Sequence, residues 1–137
     1  MDEKNIAKNQ DSLSVARRAA MILIEKKAID VAMFDVKESS SVTDYYINAT
    51  GRSSTNVAAL ADDVDLMLSK EGISPLRVEG RRGQSWILVD YGDVIVNVFD
   101  RASRDFYNFD RHLPEGSKMD ITDLVREVDA KFDLNQN

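Results

Sequence analysis

The stretch SWILVDYGDVIVNVFD, residues 85–100, constrains the fold more than any other part of the chain. It consists of two short apolar runs that meet at Gly92, which lies between a tyrosine and an aspartate. This pattern predicts an antiparallel hairpin in which a strand over residues 86–90 turns tightly into a second strand that begins at Val94. The first strand opens with the only tryptophan of the chain.

Side chains along a β-strand alternate between the two faces of a sheet. Trp86, Leu88 and Asp90 therefore share one face of the predicted hairpin, while Ile87 and Val89 point to the other. The second strand divides in the same way, into Val94, Val96 and Val98 and, opposite them, Ile95, Asn97 and Phe99. Because both faces are apolar, the hairpin needs cover on both sides, as in layered α/β proteins.

Hydrophobic periodicity places three further strands and four helices around this hairpin. Strands are predicted near residues 31–36, 45–50 and 76–79. Helices are predicted over residues 13–27, over TNVAALADDVDLMLSK up to a stop signal at Gly72, over RASRDFYNFDRHL, and over MDITDLVREVDAKF. The strand–helix–strand order in the middle implies a right-handed parallel crossover. We therefore expect the α/β class, with a single five-stranded mixed sheet and helices mainly on one face.

All four helices carry an apolar stripe that we expect to be buried. In the first helix, after an N-cap at Ser12, the stripe consists of Leu13, Ala16, Ala20 and Leu23, widened by Val15, Ala19 and Ile22. The stripe of the second helix is Val57, Leu60, Ala61, Val64 and Leu68, and that of the C-terminal helix is Ile121, Leu124, Val125 and Val128. In the short third helix, the residues on one side are Ala102, Phe106 and Phe109.

The chain length of 137 residues is the usual size of one domain. We expect a flexible N-terminus at residues 1–12, an α/β domain at residues 13–113 and a helical C-terminal extension at residues 114–137. The first residues contain no apolar segment that would form a signal peptide, and no apolar run is long enough for a membrane span. These features predict a cytoplasmic protein.

Composition excludes several classes of site. The chain has no cysteine and a single histidine, His112, which rules out thiolate and multi-histidine metal sites. The net charge is −6, and the one basic cluster, Arg77 with Arg81 and Arg82, is interrupted by Glu79. An acidic chain gains little from a phosphate backbone, so we expect no sequence-specific nucleic-acid binding and favour a basic protein partner.

The hairpin itself allows three interpretations. The burial tendencies of its residues favour an ordinary sheet core. A tryptophan surrounded by aspartate and arginine is instead typical of an interface anchor. A catalytic carboxylate cluster is the weakest interpretation, because Asp90 and Asp93 are three residues apart across a turn rather than paired on one strand face.

Three other features have an ordinary structural interpretation beside a functional one. TGRSS, with Arg52, could hold an anion at a helix start, but glycine and serine at that position more often serve the turn and the N-cap. The carboxylates of ADDVD, including Asp62, Asp63 and Asp65, are expected on a solvated helix face. We expect His112 to be exposed.

The runs DYYINATGRSS, PLRVEG, WILVDYGDVIV and SRDFYN, in this order and spacing, resemble the ribosomal silencing factor family, also called the Iojap-related family. The resemblance extends from about Ala16 to Asn108. It implies a nucleotidyltransferase-like α/β fold without the catalytic carboxylates of the transferases, and therefore no enzyme activity and no cofactor.

The resemblance also implies a function. Members of this family bind the large ribosomal subunit at large-subunit ribosomal protein fourteen, block joining of the small subunit and so repress translation; free members are commonly homodimers. Carried over by position, the docking residues are Trp86, Ile87, Leu88, Asp90, Tyr91 and Asp93, with Arg77 and Glu79 on the neighbouring strand. Asp44 and Tyr45 match a further motif. A nucleotidyl-transferring enzyme and a dimeric adaptor remain as alternative functions.

Two departures from the family pattern are visible. VNVF has Asn97 where the family usually has histidine, and asparagine keeps the hydrogen-bonding capacity without titrating. The segment DRHLPEG lacks a Leu-Trp pair that is common in the family, and the residues from Pro114 onward lie outside the resemblance.

Overall fold

The structure, a computed structural model, describes residues 11–136, with side chains to residue 133. Most of the predicted flexible N-terminus, residues 1–10, lies outside the described part. In chain order the elements are α1 (Ser12–Glu25), β1 (Ile29–Asp35), β2 (Tyr45–Gly51), α2 (Ser54–Lys70), β3 (Arg77–Glu79), β4 (Trp86–Asp90), β5 (Val94–Asp100), α3 (Arg101–Tyr107), a 3-10 turn (Phe109–His112) and α4 (Thr122–Gln136).

The five strands form one mixed sheet in the order β1-β2-β5-β4-β3. β2 and β5 are parallel, and the other three neighbouring pairs are antiparallel. β2 and β3 run in the same direction and are joined through α2, although β5 and β4 lie between them. The predicted α/β class and the five-stranded mixed sheet are thereby confirmed.

One face of the sheet carries the main core. Ile47 on β2, Ile87 and Val89 on β4 and Val96 on β5 are fully buried there. They pack with the apolar stripes of α1, α2 and α4 in one cluster. Each such side chain contributes roughly 1.5–3 kcal/mol through removal from water. Within the described residues, α1 and α2 therefore cover this face and α4 packs against α1, so the helices lie mainly on one side of the sheet, as predicted.

The start of α1 differs from the prediction. Asp11, not Ser12, is the N-cap, because its carboxylate accepts the Ser14 N–H at 2.8 Å and Ser12 is already helical. This hydrogen bond lowers the pKa of the Asp11 carboxyl. Leu13 is 39% exposed because it lies roughly 100° around the helix from the centre of the buried stripe.

Two backbone features were not visible in the hydrophobic pattern. β1 begins two residues earlier than predicted and contains an irregularity between Ile29 and Ala32, where Asp30 has a φ of 50°. The predicted helix over 101–113 is divided by Asn108, which adopts the left-handed conformation at φ 51°. The expected buried stripe of this helix is wrong, since Phe106 is 80% exposed.

The C-terminal segment packs against the same core as the rest of the chain. The Asp35 N–H donates to the Ser117 carbonyl and the Met119 N–H to the Met33 carbonyl, both at 2.8 Å, so this segment lines the outer edge of β1. In α4, Leu124 is 1% exposed and belongs to the main core.

Candidate docking surface

The register of β4 on β5 divides the hairpin as the alternation predicts. Trp86 pairs with Phe99, Leu88 with Asn97, and Asp90 with Ile95, all on the face opposite the main core. We call this side the second face of the sheet. Ile87 and Val89 point to the main core and are fully buried.

The second face is only partly open. α3 and the 3-10 turn cover its β2 and β5 part, and Phe99 is fully buried beneath them. The Trp86 ring centroid lies 5.0 Å from that of Tyr107 and 6.0 Å from that of Phe109. Trp86 therefore stands at the boundary between the covered and the open part.

The open part of the second face lies over β3 and β4. Its residues, which we call the open patch, are Arg77, Glu79, Gly80, Trp86 and Leu88. All but Arg77 line a shallow pocket of about 280 Å³. Gly80 has a φ of 92°, and an added Cβ would lie 2.0 Å from the Trp86 carbonyl oxygen. Only glycine fits there, because the β3–β4 turn passes close to the Trp86 backbone.

Asp90 does not present its carboxylate to solvent. Its Oδ2 accepts from Arg77 Nε at 3.0 Å and its Oδ1 from the Gly92 N–H at 2.8 Å, and the residue is 9% exposed. Arg77 also lies 3.1 Å from Glu79 through Nη1. Asp90 therefore fixes the turn and the Arg77 side chain, and its carboxylate is largely used within the hairpin.

Two other expected docking residues belong to the main core. Ile87 is fully buried and Tyr91 is 3% exposed, so neither side chain can reach a partner on the folded protein. Burial raises the pKa of the Tyr91 phenol well above its usual range, and the charge of Asp65 on α2 adds to this shift.

Asp93 and the segment before β2 are joined by backbone contacts. The Asp93 carbonyl accepts from the N–H groups of Asp44 and Tyr45 at 3.0 and 3.1 Å. Asp93 is half-buried, and Tyr45 lies in the main core. The Asp44 carboxylate accepts from the Ser12 hydroxyl at 3.2 Å. These residues hold the hairpin turn against β2.

A chain of side-chain hydrogen bonds crosses the covered part of the second face. Trp86 Nε1–H donates to Asn97 Oδ1 at 2.9 Å, and Asn97 Nδ2 donates to Asn48 Oδ1 at 3.0 Å. Asn48 Nδ2 then donates to the Asp110 carboxylate at 2.7 Å, and Arg104 Nη2 donates to the other oxygen of Asp110 at 2.7 Å. The role of Asn97 is therefore to connect the Trp86 indole to Asn48.

Sequence reasoning missed the aromatic pair at the end of α3. Phe106 is 80% exposed, Tyr107 is 49% exposed, and their ring centroids are 5.0 Å apart. Because Tyr107 also contacts Trp86, the pair extends the open patch along α3. Two adjacent residues of a helix point in different directions, so Phe106 and Tyr107 cannot both face the sheet. Their adjacency in the sequence could have predicted that one of them is exposed.

The remaining candidates have structural roles. The Ser53 hydroxyl caps α2 by accepting the Asn56 N–H at 3.1 Å, while Arg52 Nη1 donates to the Lys27 carbonyl at 2.9 Å, so TGRSS forms the turn and the cap. Asp62 lies on an exposed face of α2, paired with Arg81. His112 is exposed, as predicted. No group of three or more acidic or histidine side chains within the described residues could hold a metal ion, and no helix there is long and apolar enough to cross a membrane.

Comparisons with known proteins agree with the motifs. The family model described as ribosomal silencing factor during starvation matches residues 9–136. The match therefore extends into the C-terminal segment, which the motif resemblance did not reach.

Individual relatives show the same similarity. The protein named ribosomal silencing factor RsfS in Bacillus subtilis is 34% identical over 98 residues, which cover 72% of this chain and 83% of the relative. The protein of the same name in Halalkalibacterium halodurans is 33% identical over 117 residues, which cover 85% of this chain and 97% of the relative. A crystal structure of a protein from Chromobacterium violaceum is similar with a TM-score of 0.74 at 32% identity, covering 76% of this chain and 87% of that one.

Proposed function

The chain belongs to the family of ribosomal silencing factors, and from this premise we propose that it represses translation by occupying the large ribosomal subunit. The docking point is large-subunit ribosomal protein fourteen, and the bound protein blocks joining of the small subunit in the cytoplasm. The mechanism needs no chemical step, since bulk placed on the joining surface is sufficient.

The observation that carries this proposal is the open patch. It places a half-buried tryptophan, Trp86, beside an apolar side chain, Leu88, and a charged rim formed by Arg77 and Glu79. A central aromatic anchor with a polar rim is the usual anatomy of a protein–protein interface. The net charge of −6 favours a basic partner and faster association with it.

The residues of the hairpin then have different roles. Trp86 and Leu88 supply the area that becomes buried on docking, and Glu79 and Asp93 attract basic groups of the partner. Asp90 acts indirectly, by holding Arg77 through the 3.0 Å hydrogen bond. Loss of the tryptophan ring should weaken docking by on the order of 2–4 kcal/mol.

We also infer that the free chain forms a homodimer. The support is the exposed aromatic pair Phe106 and Tyr107, since an exposed apolar surface next to Trp86 favours association. Light scattering of the free protein should give twice the chain mass, and Phe106→Ser should shift it toward the monomer. A wild-type protein of single-chain mass at micromolar concentration would contradict this inference.

Sedimentation with separated ribosomal subunits tests the docking function. The wild-type protein should sediment with the large subunit, not with the small one, and should prevent the two from joining. Trp86→Ala and Asp93→Lys should reduce both effects. Leu66→Ala is the control, because Leu66 is 55% exposed on α2 and lies away from the second face. If Trp86→Ala and Asp93→Lys fold and sediment with the large subunit at the wild-type level, the docking assignment is wrong.

A further inference from the structure

We propose that Asp110 and Arg104 are positioning residues for docking: through Asn48 and Asn97 they fix the indole of Trp86 in the orientation that it presents to a partner. This inference rests on the proposed function, because it concerns how the docking tryptophan is held. It assigns a role to an ion pair that lies on α3 and the 3-10 turn, outside the open patch.

The direction of the hydrogen bonds carries the argument. An indole N–H can only donate, and a carboxylate can only accept. Asn97 and Asn48 lie between these two ends, and each amide accepts one bond and donates the next. The two ends therefore leave one orientation for both amides. Every bond in the chain runs from Trp86 toward Asp110.

Burial makes this arrangement hard to replace. Asn48 and Asn97 are 0% and 1% exposed, and they pair directly across the central strands β2 and β5. Solvent cannot supply substitute partners at these amides. If Asp110 is lost, the Asn48 amide is left with an unsatisfied donor inside the protein, which is more costly than the loss of an exposed hydrogen bond.

The same ion pair also holds the rings around Trp86. Arg104 lies on α3, its side chain is only 11% exposed, and its Nη1 donates to the Thr50 hydroxyl at 3.0 Å. Arg104 and Asp110 thus bind α3 and the 3-10 turn to the sheet, and these two elements carry Tyr107 and Phe109. Trp86 is held at its N–H by Asn97 and around its ring by aromatic neighbours.

A tryptophan fixed in this way loses less side-chain freedom when a partner binds. The fixed orientation of the ring in the free protein therefore increases the affinity for the partner. A change at Asp110 should reach the partner through Trp86 and the rings around it, because Asp110 belongs to the 3-10 turn and lies outside the open patch.

The test uses the full chain and its only tryptophan, which gives a single indole N–H signal in an NMR spectrum. In Asp110→Leu, this signal should shift and its hydrogen exchange should accelerate, and the affinity for the large subunit should fall by up to about tenfold, because a loosened indole must be ordered when the partner binds. Asp110→Asn retains an acceptor for Asn48 and should give a smaller change in both measurements. Asp105→Leu is the matched control, because Asp105 is an exposed aspartate on α3 outside the hydrogen-bond chain.

Three results would overturn the proposal. The first is an unchanged indole signal in folded Asp110→Leu, and the second is a changed signal with docking at the wild-type affinity. The third is an equal effect of Asp105→Leu. If Asp110→Leu fails to fold, Asp110→Asn decides by the same two measurements. If Trp86→Ala docks like the wild type, the proposed function fails, whereas the indole signal in the free protein still tests the hydrogen-bond chain separately.

Discussion

The indole N–H of Trp86 donates to the side-chain oxygen of Asn97 at 2.9 Å, across the β4–β5 pair. This bond joins a half-buried residue of the open patch to a residue that is 1% exposed. The anchor of the proposed docking surface is therefore connected to the interior of the second face by a polar contact as well as by ring packing.

Asn97→His should make the stability of the protein depend on pH. A neutral imidazole can accept from the Trp86 indole and donate to Asn48, as asparagine does, but a protonated imidazole cannot accept. The buried site should hold the pKa of the introduced group below its unfolded value of about 6.5. Stability is then present above that pH and is lost as the pH falls below it, by up to about 1.4 kcal/mol per pH unit.

Urea unfolding at pH 8 and pH 5, compared with the wild type, measures this difference. Because asparagine does not titrate, the difference in unfolding free energy between the variant and the wild type reports on the introduced imidazole alone. Equal stability differences at the two pH values would show that the introduced ring does not replace Asn97 in the hydrogen-bond chain.

Glu79→Lys should weaken docking through charge. Glu79 lines the pocket beside Trp86, and its ion pair with Arg77 is exposed, with side-chain exposures of 62% and 54% for Arg77 and Glu79. Loss of such a pair changes folding little. We expect affinity for the large subunit to fall about tenfold or more, because like charges then meet at the interface.

Glu115→Lys is the matched control for this prediction, since it changes the net charge equally at an exposed position outside the open patch. Co-sedimentation over a range of salt concentrations measures both variants. If Glu79→Lys and Glu115→Lys lose affinity equally, the change in net charge explains the effect and Glu79 has no local role.

Local signals were sufficient for part of the fold. The bounds of β4 were predicted correctly because alternation and Gly92 determine strand and turn together. α2 was predicted well because Ser53 and Gly72 mark its two ends. In each case the information lies within a few residues of the element.

Other features depend on contacts between distant parts of the chain. Asn48 and Asp110 are 62 residues apart, so periodicity could not bring them together. The cover over Phe99 depends on the left-handed Asn108, which turns the 3-10 segment onto the sheet. The resemblance also assigned Asp90 to the partner, whereas its hydrogen bonds with Arg77 and Gly92 appear only in the folded hairpin.

Gly80→Ala should destabilise the fold at the edge of the open patch. The added Cβ would meet the Trp86 carbonyl oxygen at 2.0 Å, and the residue has a φ of 92°. We expect a loss of at least about 2 kcal/mol in the free energy of unfolding. Gly116→Ala is the control, because its φ is 83° but no atom lies within 4 Å of the added Cβ. Equal losses in chemical denaturation would show that the Trp86 contact adds nothing beyond backbone strain.

Leu124→Ala tests whether α4 belongs to the core. Leu124 is 1% exposed within the main core, whereas the ion pair between Arg17 and Asp123 beside it is exposed and contributes little. Truncation should therefore lower the free energy of unfolding by about 2–5 kcal/mol in one cooperative transition. Val125→Ala is the neighbouring control, since Val125 is 39% exposed and its truncation should cost less than about 1 kcal/mol. A small loss at Leu124, or a separate early transition, would show that α4 is dispensable for the fold.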